Sequence, residues 1–116
     1  MNHTVAKKSF SFAIRIVNLY KHLTDTKKEF VMSKQLLRCG TSIGANVAES
    51  QDAQSTADFI SKLSIALKEA RETEYWLRLM KETDFLTESE FSSIVADCEE
   101  IEKMLVSIIK TMKERD

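Results

Sequence analysis

The last third of the chain carries Phe91, Ile94, Cys98, Ile101, Leu105, Ile108 and Met112, apolar residues spaced alternately by three and four positions. Only a helix brings such a series onto one face, because a strand would send neighbours to opposite sides. A seam kept up over three heptads also needs other helices to bury it. The rest of the chain agrees with this demand. Its 116 residues contain no proline and two glycines, too little turn punctuation for a β-rich fold. Apolar residues make up 43% and charged residues 30%, which fits one soluble globular domain over residues 1–116.

Three further helices are expected upstream. The first spans residues 4–23, with Phe12, Ala13, Ile16, Tyr20 and Leu23 as its main stripe. Phe10, Ile14, Val17 and Leu19 widen that stripe, so this helix packs against more than one neighbour. Thr26 and Glu29 have capping-box spacing, which starts the second helix near Lys27 and carries it to about Asp52. Its core face is Met32, Leu36, Cys39, Ile43 and Val47. Ser55 and Asp58 restart a helix that continues to about Glu82, on a stripe from Phe59 to Met80 that turns polar near Thr73 and Glu74. A second line on that helix holds Ile65, Glu69, Glu72, Trp76 and Leu79. Thr87 and Glu90 form another capping-box pair ahead of the final seam. Four helices with short links favour an all-α, antiparallel up-down-up-down bundle, each helix about 30–42 Å long at about 1.5 Å per residue.

The second helix is unusual within residues 36–50, LLRCGTSIGANVAES. Gly40, Gly44 and Ala48 recur every four residues and line one face, open to the close approach of another helix. Glycine costs a helix roughly 1 kcal/mol relative to alanine, so two of them one turn apart imply a packing demand. Ser42, Asn46 and Glu49 add a polar stripe beside them. With Arg38 they form a network with Glu69, Arg71 or Glu72, or they line a subunit contact, or less readily a ligand pocket. Tyr75, Trp76 and Arg78 cluster outside the main seams, which makes Trp76 a candidate interface anchor.

The residues that would carry chemistry are sparse. A di-iron bundle site needs Glu-x-x-His pairs, yet Leu19 stands three positions before His22 and nothing stands three before His3. Cys39 and Cys98 fall in apolar patterns, where cysteine behaves as a small hydrophobe. No Gly-rich loop could cradle phosphate. The expectation is therefore a non-enzyme without cofactor or metal.

Net charge is −1, but residues 1–51 hold eight Lys/Arg against three Asp/Glu, and the remainder nine against fifteen. Complementary helices meeting within the fold or between subunits explain this asymmetry better than a basic partner-binding face. The candidate nucleic-acid contacts on the basic side are Lys7, Lys8, Arg15, Lys27, Lys28 and Lys34. Two separated cysteines, no secretory leader and no membrane-length apolar run point to a cytoplasmic protein.

Residues 35–50, QLLRCGTSIGANVAES, together with residues 58–79, DFISKLSIALKEARETEYWLRL, closely resemble the signature of the four-helix-bundle protein family. That family is also called the 23S rRNA intervening-sequence protein family, because some members are encoded within insertions in bacterial 23S ribosomal RNA genes. The resemblance implies a left-handed antiparallel bundle that closes into a homopentameric ring in the bacterial cytoplasm. It supplies no catalytic residues. Arg38, Thr41, Ser42, Asn46, Glu49, Lys62, Glu69, Glu72 and Trp76 carry over as packing or assembly positions, beside Gly40 and Gly44. Accessory proteins of diversity-generating retroelements share the bundle and bind nucleic acid through strongly basic surfaces, a feature this slightly acidic chain lacks.

Overall fold

A computed structural model describes residues 2–115, with side chains from Thr4 onward; His3, weighed above as a metal ligand, lies outside the described side chains. Four helices account for nearly all of it: α1 (Asn2–Asp25), α2 (Met32–Ser50), α3 (Thr56–Glu82) and α4 (Glu88–Glu114). The molecule is a rod of 48 × 21 × 19 Å. Each helix packs on its sequence neighbours, and α4 returns to α1 along the thinnest of the four seams. Ion pairs report the directions. Glu49 meets Lys62 while Arg38 meets Glu69, and Lys8 meets Glu100 while Arg15 meets Asp97, so paired helices run oppositely.

The core follows the expected stripes. Phe12, Ile16 and Leu23 of α1, Leu36, Cys39, Ile43 and Val47 of α2, and Leu63, Ala66, Ala70, Leu77 and Met80 of α3 are buried. The α4 seam is buried from Phe91 to Ile108, and Met112 packs half-buried against it. Val95 and Ile109 join from beside the seam, and Leu86 plugs the α3–α4 turn. The polar interruption expected at Thr73 does not leave the core. Its hydroxyl donates to the Glu69 carbonyl at 2.8 Å and lies 3.2 Å from the Cys39 sulfur, so it stays fully buried.

Helix ends explain the boundaries. Thr87 and Glu90 form the expected capping box, with Glu90 N–H donating to the Thr87 hydroxyl at 3.1 Å and Thr87 N–H to the Glu90 carboxylate at 2.8 Å. Ser55 caps α3 by accepting the Asp58 N–H at 3.0 Å. The start of α2 differs from expectation: Thr26 and Glu29 do not form a box, and the helix begins at Met32 rather than Lys27. Lys28 takes a left-handed φ of 56°, which no helix can pass through. Glu29 instead turns its carboxylate back over the new helix and accepts the N–H groups of Val31, Met32 and Ser33 at 2.7–3.1 Å. Asp84 (φ 69°) ends α3 in the same left-handed way, with Phe85 N–H bonded to the Met80 carbonyl. Both breaks occur without the glycine that usually marks them.

Burial pushes the Glu29 carboxyl upward, but the N–H groups of Met32, Ser33 and Val31 outweigh it and hold the group below its ordinary range. Glu29→Ala is expected to cost about 0.5–2 kcal/mol, the range for losing a helix N-cap, and Glu29→Gln less, because an acceptor remains. Thermal denaturation of the two variants checks this, and equal loss in both would argue against the cap.

Candidate assembly surface

The glycine ridge is occupied within the chain. A Cβ on Gly40 would stand 2.8 Å from Cγ1 and Cγ2 of Ile16, and one on Gly44 would stand 3.2 Å from the Ser9 carbonyl oxygen. The helix that exploits the small residues is thus α1, and Ser9, itself buried, supplies the matching small side chain. Gly40 and Gly44 are therefore removed from the residues available to a second copy.

The polar stripe of α2 divides into three parts. Arg38 reaches across to α3, where its guanidinium pairs with Glu72 and lies 3.5 Å from Glu69. Trp76 Nε1 donates to the same Glu72 carboxylate at 3.1 Å. That hydrogen bond is the largest influence holding Glu72 below its usual range; burial opposes it and Arg38 reinforces it. Glu49 receives Lys62 at 3.0 Å. Asn46 and Thr41 turn inward on their own helix, to the Ser42 and Leu37 carbonyls. Arg38, Glu69, Glu72 and Trp76 thus form one cluster that staples α2 to α3, while Ser42 and Asn46 stand apart from it. Trp76 is half-buried against the core, and its neighbour Tyr75, edge-on at 5.2 Å between ring centroids, is the aromatic that reaches solvent.

The candidate basic residues do not converge. Arg15 bonds Asp97 at 2.6 Å and the Ser93 hydroxyl at 3.0 Å, and Lys8 bonds Glu100 at 3.1 Å, all across the α1–α4 seam. Lys7 lines the same groove of about 620 Å³. Lys27, Lys28 and Lys34 lie around the α1–α2 connection, about 28 Å away along α1 at about 1.5 Å per residue. Part of the charge asymmetry is therefore answered within the chain. Phe30 and Val31, exposed in that connection, were not singled out: they fall inside the helix expected from Lys27 but ahead of Met32, where its core face begins.

Burial raises the Cys39 thiol to about 11 and the Cys98 thiol further still, so neither forms a thiolate near neutral pH. Among the described residues no group of three or more His, Cys, Asp or Glu could hold a metal ion. Among the described residues no helix is long and apolar enough to cross a membrane.

One titration is displaced into the neutral range. The Glu102 carboxyl, half-buried beside Cys98 and facing Glu74 across the α3–α4 seam, is raised from 4.5 to about 7. Burial is the main cause, followed by the hydrogen bond to Glu74 and its charge, while Cys98 and Arg71 pull the other way. The folded chain keeps a proton that the unfolded chain releases, so stability should fall as pH rises from about 4.5 to about 7 and level off above. Glu102→Gln should remove this decline and melt higher than the parent at pH 8. Parallel melting curves for both proteins from pH 5 to pH 8 would contradict the assignment.

What remains unused is apolar surface. Phe10 is 68% and Ile14 50% exposed on the outer side of α1, next to half-buried Val17.

Comparison with known proteins places this architecture. A solved structure described as a protein of unknown function from the S23 ribosomal protein family of Bacteroides thetaiotaomicron VPI-5482 is 60% identical. It matches over 94% of this chain and 97% of its own, with a TM-score of 0.93. A comparison with curated proteins found no match. The family described as 23S rRNA-intervening sequence protein matches residues 1–107, and the chain belongs to that family.

Proposed function

We propose that the protein is a non-enzymatic, self-assembling helical bundle of the bacterial cytoplasm, closing into a homo-oligomeric ring that the family resemblance makes a pentamer. The observation that carries this reading is the outer face of α1. Phe10 and Ile14 stay exposed one helical turn apart after the core is filled. Apolar groups placed this way on one face favour association, because each gains from leaving water. The buried thiols support a scaffold over a catalyst.

Light scattering coupled to gel filtration tests the reading. Assembly gives a mass several times the 13.3 kDa of one chain, and a monomer at micromolar concentration overturns it.

A second reading, nucleic-acid binding at the ring's rim, draws support from exposed Lys27, Lys28 and Lys34 beside Phe30, a basic cluster with an aromatic able to stack on bases. Repetition around a ring would multiply a weak contact. Fluorescence polarisation with structured RNA at low salt tests it: affinity that collapses as salt rises supports it, and no affinity removes it.

A further inference from the structure

We draw no further inference here: the strongest candidate, the groove of about 620 Å³ between α1 and α4 over Phe12 and Ile101, has its charged rim answered by the chain's own Lys8–Glu100 and Arg15–Asp97 pairs, and nothing in the structure shows what fills it.

Discussion

Gly40→Leu should be among the most damaging single substitutions in the bundle. Even the first carbon of a side chain there would lie 2.8 Å from two branches of Ile16, both bonded directly to its Cβ and fully buried. Rotation of Ile16 exchanges one branch for the other without clearing the space. The helices must separate, and overpacking of this kind typically costs about 1–3 kcal/mol, with leucine at the upper end. That is a large share of the ~5–15 kcal/mol that holds a domain together. Urea denaturation should show a lower midpoint at unchanged slope. The two glycines should also rank: Gly44→Ala asks the Ser9 carbonyl to retreat by only a few tenths of an ångström and gains up to about 1 kcal/mol in helix propensity, so it should be milder than Gly40→Ala. A Gly40→Leu protein with the parental midpoint would mean that α1 does not approach α2 at this point.

Phe12→Ala should cost more still, about 3–5 kcal/mol for an aromatic truncated in a core. Phe12 is 1% exposed and lines the α1–α4 groove together with Ile101, on the seam with the least packing to spare. At roughly 4 °C per kcal/mol for a domain of this size, the melting temperature should drop by about 12–20 °C. Phe12→Leu, which keeps most of the buried volume, should lose less than half as much. Similar melting of Phe12→Ala and the parent would show that the groove closes over the gap without penalty.

Much of the fold was legible because α3 and α4 announce themselves with local chemistry. Ser55 and Thr87 sit three residues before Asp58 and Glu90, and those caps formed where the spacing put them. The same spacing misled at Thr26 and Glu29. A capping box presumes that the residues between its ends are helical, and Lys28 is left-handed there, so Glu29 became the cap of a later helix. Periodicity cannot register a single backbone torsion. Nor could it tell which neighbour would fill the Gly40–Gly44 face, since α1, α3 or another copy would all satisfy the pattern; Ser9, a small residue hidden among phenylalanines, was the available clue. The second stripe of α1 was legible as surplus apolar surface, and Phe10 and Ile14 are indeed uncovered. Trp76 was harder, because its indole N–H found Glu72 on its own helix, and the ring was drawn inward while Tyr75 stayed out.

The join between the first and last helices has a consequence for how the molecule loosens. There the chain resembles a scroll whose free edges meet at a hem, sewn by Lys8 to Glu100 and Arg15 to Asp97, stitches that lie in reach of water. Dissolved ions weaken such stitches and leave oily packing intact. In concentrated sodium chloride the hem should part first, and backbone amides of α1 should exchange their hydrogens sooner than those of α2 and α3, which remain rolled together.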